Sequence, residues 1–477
     1  MAKKTTRKTT KKELDQLKKK LAYEPRLAWD VMTAAQKKEA ERYAAEYMRF
    51  LAAAKTERLA VIETVNLARK KGFKDLARSR TPGPVYSVFR GKTVALFVPG
   101  RKPLTEGLNV VAGHLDCPRI DLKARPLFED ADLAWLKTHY YGGIRKYQWL
   151  ARPLALHGVV ITADGRTITV AWGEGEGESV LTIPDLLPHL AGKLQGDKKL
   201  SEAIEAERMN VLVGGLPLGD KETKERFKLF VLKLLHDRYD LTETDLVSAE
   251  FEAVPAGGPR EVGLDGSMIG AYGHDDRVCS YTGFRAALEV KNPTFATLAL
   301  GVDKEEIGSE GASSARSWMI HRLVADLLRL TGLEPTYDRV TQTMLAARAL
   351  SADVDAAVDP NYPEVHEKYN NARMGYGVCL TRYTGHGGKY GASEADAEFV
   401  GWLRGVWDKA GVVWQPAAMG RVDQGGGGTV AKFLAQLGMR VIDTGTPVLG
   451  MHSPFEVIHK ADLYQVYRAF TAFAAAP

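Results

Sequence analysis

Five stretches of this 477-residue chain carry metal-binding side-chain types at or near the ends of apolar runs. They are Ala112-Gly113-His114-Leu115-Asp116, Gly273-His274-Asp275-Asp276-Arg277, Glu305-Glu306, Ser351-Ala352-Asp353 and Gly450-Met451-His452-Ser453. Two His, two Asp and one Glu, with one Asp bridging, would hold two borderline divalent ions such as zinc. Ions roughly 3.5–4 Å apart share a water made nucleophilic near neutral pH. Adjacent carboxylates such as Glu305 and Glu306 divide that work, one as ligand and the other as a free base. Each stretch also has an ordinary reading. His114 fits a core histidine, Asp353 and Asp275-Asp276-Arg277 fit helix caps, Glu305-Glu306 fits a solvated acidic turn, and His452 before Ser-Pro fits a loop. Five such stretches in one chain favour the joint reading over the separate ones.

The elements that must position them follow from periodicity and punctuation. The pattern is helical from Glu13 to about Gly72, most strongly over Ala28–Leu51 and Thr56–Lys71, with Gly72 a stop. Tyr86–Phe89 and Thr93–Val98 read as paired strands, and Leu108–Gly113 as the strand that delivers His114. From Gly270 onward apolar strands at Phe295–Val302, Leu345–Ala352, Val412–Trp414, Arg440–Asp443 and Val448–Met451 alternate with helical segments. The helices expected are Val278–Val290, Ala312–Leu330, Ala395–Ala410, Val430–Leu437 and Phe455–Ala472. That alternation predicts an α/β layer fold with a largely parallel sheet, in which ligands gather at the carboxyl ends of the strands. Between them, about 122–255 differs in character, with strand-like Val159–Thr162 and Thr167–Trp172 around an Asp164-Gly165 hairpin turn. This stretch reads as an inserted domain. The expected division is a basic disordered tail over 1–20, a catalytic domain over 21–121 and 259–477, and an insert over 122–258.

These motifs, in this order and spacing, resemble the aspartyl aminopeptidase family of dizinc metalloaminopeptidases, in its bacterial type. The likeness rests on DDRVCSYTGFRAAL, VDKEEIGSEGA, LSADVDAAVDPNYPEVHE, GGGGTVAKFLAQLGMRVIDTG and PVLGMHSPFE. It is closest over 270–460 and extends more loosely back to about residue 60. The resemblance implies a three-layer αβα zinc-exopeptidase domain with an inserted, mostly-β dimerisation domain. It implies two Zn2+ per subunit, with Co2+ or Mn2+ able to substitute. Asp275 would bridge them, His114 and Asp353 completing one site and Glu306 and His452 the other. Glu305 would be the general base, and Asp116 would orient His114. Gly427, in the Gly425–Gly428 turn, would lie beside the substrate. His189 resembles a family histidine segment in the insert, which in the family makes dimer contacts and reaches toward a neighbour's site; a structural role for it stays open. The implied substrates are peptides, and the implied assembly is dimer-based, up to a dodecamer.

The sequence departs from the family around Gly377–Gly385, where a cation for acidic first residues is expected. Leu380 stands near the usual lysine position, leaving Arg382 or Lys389 to replace it and acidic specificity open.

Composition narrows the alternatives. At 45% apolar and 26% charged the chain is ordinary for a globular protein, and no apolar run approaches a membrane span. Three cysteines without paired spacing suit a reducing compartment, and no secretory signal precedes them, so the expected place is cytoplasmic. The net charge of +6 is concentrated in the first twenty residues, which hold nine Lys/Arg against two acids. The remainder is near neutral, so nucleic acid is expected at most at that tail. A non-catalytic assembly or cargo-binding protein on a peptidase fold is the alternative, nucleic-acid binding through the tail a third reading, and a related dizinc deacylase a further one. An intact Glu305 beside the full ligand set favours catalysis.

Overall fold

The computed structural model describes residues 10–477. Residues 1–9 of the expected tail lie outside the described residues. The part of the tail that is described is not disordered: Lys11–Leu21 forms a helix. Thr10 and Glu13 make a reciprocal capping box at its start, and lysines fill its last turn, so local chemistry alone favours it. It buries none of its residues.

A nine-stranded sheet forms the body of the fold. Its centre is four parallel strands in the order Ala296–Val302, Leu108–His114, Ala347–Ala352, Arg440–Gly445. Antiparallel pairings flank them, through Thr93–Val98 on one side and Val378–Thr381 on the other. Alternation along the strands feeds two cores. Val111, Ala299 and Leu350 join one side, packed with helices Ala34–Ala53, His274–Glu289, Ala397–Lys409 and Lys460–Ala475. Val110, Leu298, Leu300 and Ala349 join the other, packed with Met319–Leu330 and Ala431–Gln436. Each fully buried aliphatic side chain is worth roughly 1.5–3 kcal/mol. Sheet faces covered by helices on both sides give the three-layer αβα architecture.

Two further sheets leave this body. Six antiparallel strands lie in the order Thr167–Trp172, Leu154–Ile161, Ala249–Pro255, Arg119–Asp130, Leu133–Tyr141, Val211–Gly214. A five-stranded sheet joins Arg260–Val262, Met268–Ala271, Glu456–His459, Pro447–Leu449 and Asp355–Ala356.

Several expected elements differ. The Ala28–Leu51 segment breaks at Met32-Thr33, because the Thr33–Gln36 capping box starts a new helix there. The helix expected from Ala312 begins at Met319. Phe455–Ala472 is not one helix: Glu456–His459 is a strand, held between Met268–Ala271 and Pro447–Leu449, and the helix starts at Lys460. The Tyr337–Leu345 helix went unread in the sequence.

Candidate metal centre

Parallel register brings the site together. Val302 lies opposite His114, and Ser351 opposite Ala112, so the chains carrying Glu305-Glu306, His114 and Asp353 leave one edge side by side. The small sheet supplies the other members. Asp275 follows its Met268–Ala271 strand, and His452 lies in the loop between Pro447–Leu449 and Glu456–His459. Gly113 lets the helix approach the strand: a Cβ there would stand 2.5 Å from Asp276 Oδ2 and 2.7 Å from Ser280 Oγ.

Asp275 is the centre of the group. Its Oδ1 lies 3.2 Å from His114 Nε2, and its Oδ2 lies 3.2 Å from His452 Nε2. Glu306 Oε2 is 3.5 Å from His452 Nε2, while Glu305 Oε2 and Asp353 Oδ1 are 3.9 and 4.0 Å from His114 Nε2. Ligand atoms converge within one ion's reach in two sets, His114–Asp275–Glu306 and His114–Asp276–Asp353. Both imidazoles turn Nδ1 to a main-chain carbonyl, His114 to Asp116 O at 2.8 Å and His452 to Gly143 O at 2.9 Å. With Nδ1–H donating there, both Nε2 lone pairs face the carboxylates, the tautomer that metal ligation needs.

The electrostatics fit cations. Burial pushes Glu305 up to about 7, and burial followed by Asp275 pushes Glu306 well above the carboxylate range. Asp353 is raised by burial and then by Asp276 and Asp275. Burial works against a charged His452, yet Asp275 and Glu306 lift it to about 10. Surroundings that lift an imidazole in this way also favour a bound cation. Among the described residues, buried Glu306 Oε1 and Asp276 Oδ1 have no hydrogen-bond partner. A crowded N/O donor set of this kind suits zinc.

Asp116 holds the site differently from the expectation. Its contact with His114 runs through the main-chain carbonyl, and its carboxylate stands 3.6 Å from Nδ1. That carboxylate instead accepts the N–H of Glu305 and of Glu306, each at 3.1 Å, and the Tyr141 hydroxyl at 2.8 Å. Glu456 does the same for the other half. It accepts the N–H of Asp275 at 3.0 Å and of His452 at 2.7 Å, and burial pushes it up to about 8. Sequence reasoning assigned no role to Glu456, Tyr141 or Asp276. Glu456 and Asp276 stand inside the quoted motifs, whereas Tyr141 comes from another sheet and carried no local signal.

The proposed substrate residues separate. Gly427 lines the cavity of about 420 Å3 that also holds His114, Asp275, Glu305, Glu306, Asp353 and His452. Its neighbour Gly426 has φ +123°, and a Cβ there would fall 1.8 Å from Gly385 O, so only glycine fits this turn. Arg382 is not among the lining residues; it is exposed and pairs with Glu394 at 3.2 Å, as Lys389 does at 2.8 Å. His189 is exposed and does not line the cavity either. Leu380 packs into the core.

Residues 50–474 match the family model described as aminopeptidase I zinc metalloprotease (M18). A "probable M18 family aminopeptidase 1" of Clostridium acetobutylicum is 44% identical over 455 residues, covering 94% of this chain and 97% of that protein. The crystal structure of an M18-family aminopeptidase from Thermotoga maritima superposes with TM-score 0.90 at 44% identity, covering 95% of this chain and 99% of that one. A structure of the S. cerevisiae mApe1 dodecamer shares the fold, with TM-score 0.72 at 20% identity over 90% of this chain and 96% of that one.

Proposed function

The chain belongs to the M18 family of aminopeptidase I zinc metalloproteases, and on that premise we propose a two-zinc aminopeptidase that removes single N-terminal residues from peptides. His114 and Asp353 would hold one ion, Glu306 and His452 the other, with Asp275 between them. Bound there, zinc acts as a Lewis acid and makes water nucleophilic near neutral pH. Co2+ or Mn2+ would fit the same donors.

The remaining work falls to the chain. Glu305, next to a ligand but not needed as one, takes a proton from the attacking water and returns it to the leaving amine. Asp116 fixes the backbone of Glu305, and Glu456 fixes those of Asp275 and His452. The Gly425–Gly428 turn gives the peptide room to lie against backbone. The observation that carries this reading is the Asp275 carboxylate, whose two oxygens each lie 3.2 Å from a different histidine Nε2.

Among the described residues, no helix is long and apolar enough to cross a membrane. We place the enzyme in the cytoplasm, in keeping with three buried free cysteines. A homo-oligomer built through the 122–258 insert, dimer-based and up to a dodecamer, follows the family and the mApe1 dodecamer. The insert's exposed Leu187, Leu190 and Leu194 support it, and His189 would then face a neighbouring subunit. Light scattering should give a multiple of the chain mass; a monomer counts against this assembly. For the activity, chelation should abolish hydrolysis of aminoacyl substrates and zinc or cobalt should restore it. Turnover indifferent to chelator sinks the reading.

A further inference from the structure

The six-stranded sheet meets the body of the fold at a buried cluster of charges. Arg119 opens its strand three residues after Asp116 and is 5% exposed. Its Nε lies 2.7 Å from Asp121 Oδ1 and 3.2 Å from Glu252 Oε2, both on that sheet. Its Nη1 points to the body, 3.6 Å from Glu57 Oε2 at the start of the Glu57–Lys70 helix. Lys92 ties the same two parts, 3.5 Å from Glu57 Oε1 and 3.0 Å from Glu250 Oε2. Burial works against a charged Glu57, yet Arg119 and Lys92 hold it down at about 2. A buried guanidinium engaged in this way has little freedom to swing, because each departure leaves a charge unpaired.

One face of that guanidinium covers Tyr141. The two residues stand opposite each other in antiparallel register, with Arg119 Cζ 3.9 Å from the centre of the Tyr141 ring. Tyr141 donates its hydroxyl to Asp116, whose carboxylate holds the N–H groups of Glu305 and Glu306. The chain runs on from Tyr141 to Gly143, whose carbonyl takes the His452 Nδ1–H at 2.9 Å. One end of an insert strand thus reaches both halves of the centre.

We propose that Arg119 is a positioning residue for the metal centre: pinned between body and insert, it sets the Tyr141 ring and through it the Asp116 clamp on Glu305 and Glu306. The inference rests on the two-zinc aminopeptidase reading of the site. Arg119 lies outside the cavity lining, so its effect passes through Tyr141. A stacked ring carries its hydroxyl with its plane, and a shift of about 1 Å at a reacting group costs up to about 10²-fold in rate. The seating of the insert on the body is therefore felt at the two acids, along Arg119, Tyr141 and Asp116.

The test is a double-mutant cycle on zinc-loaded protein, comparing wild type, Arg119→Met, Tyr141→Phe and the double variant, with Arg119→Lys beside them. Each is read for kcat and KM on an aminoacyl substrate and for zinc affinity by competition with a chelator. Arg119→Met should lower kcat by about five- to tenfold, change KM by less than about twofold, and weaken zinc binding. With the hydroxyl already gone in Tyr141→Phe, adding Arg119→Met should cost less than about twofold more on either readout. Arg119→Lys keeps the charge without the flat stack and should lie between wild type and Arg119→Met. Where Arg119→Met does not fold, Arg119→Lys takes its place in the cycle. Equal losses in both backgrounds make Arg119 a residue of stability alone and overturn the inference, as does an unchanged kcat. If zinc-loaded wild type cleaves no substrate, the aminopeptidase reading falls by itself, and the cycle in zinc affinity still decides for or against Arg119.

Discussion

Asp116 accepts the main-chain N–H of Glu305 at 3.1 Å across a gap of 189 residues. The same carboxylate takes the N–H of Glu306, so one buried side chain sets both acids of the centre. Asp116→Ala removes this clamp and leaves two buried donors unpaired. We expect kcat to fall about 10–100-fold, the usual range for a residue that orients a metal site's ligands. Tyr141→Phe, which strips only the hydroxyl bonded to Asp116, should cost less. Steady-state kinetics on both variants, with folding checked by circular dichroism, compares them; equal or negligible effects remove the clamp from the mechanism.

Glu305 and His452 should separate base from ligand. Glu305→Gln keeps shape and hydrogen-bonding capacity, so zinc content should hold while kcat drops about 10²–10⁴-fold. His452→Ala should lose zinc and activity together. Metal analysis of the purified variants beside activity decides this, and zinc loss in Glu305→Gln would recast Glu305 as a ligand.

Glu456 joins the backbones of Asp275 and His452, so its effect should appear first in metal retention. Glu456→Ala should weaken zinc binding by about 10–100-fold. Competition with a chelator measures it, and excess zinc should recover much of the turnover. An unchanged affinity contradicts this role.

Outside the cavity lining, Asp462 accepts the N–H of Gly375 at 2.6 Å and of Gly377 at 2.7 Å. Burial pushes it up to about 7 from an ordinary 3.8. The folded state therefore holds this proton more tightly than the unfolded chain does. Its contribution to stability is fully present below about pH 3.8 and is lost as pH rises through about 7. Asp462→Asn cannot titrate, so its stability should fall less between pH 5 and pH 8 than that of wild type. Denaturant unfolding at both pH values measures the difference; parallel shifts in the two proteins would falsify the assignment.

The Lys11–Leu21 helix is capped locally and buries none of its residues. Deleting residues 1–21 should leave the melting temperature and peptidase activity close to wild type. Any salt-sensitive binding of nucleic acid should disappear with it. A drop of several degrees would show that this helix packs on the body.

The outline of the site was legible because its signals are local. Apolar runs end at His114, before Glu305-Glu306 and at Asp353, and in a central parallel sheet those ends meet at one edge. The helix over 11–21 is equally local: helical composition marks it from Glu13, and the Thr10–Glu13 capping box sets its start.

What the sequence determined by itself was which residue types reach the carboxyl edge of the sheet, since strand period and apolar burial act over a few neighbours. Only the tertiary structure decided where each side chain points once there. Asp116 turned its carboxylate to the Glu305-Glu306 backbone and left its carbonyl to His114. Glu456 became a strand residue that ties Asp275 to His452, because pairing with Met268–Ala271 outweighed the helical pattern beginning at Phe455. Arg382 went outward to Glu394 while Thr381 faced the cavity, an alternation that one step of register reverses. These outcomes depend on hydrogen bonds between residues far apart in the chain, and no local pattern encodes such partners.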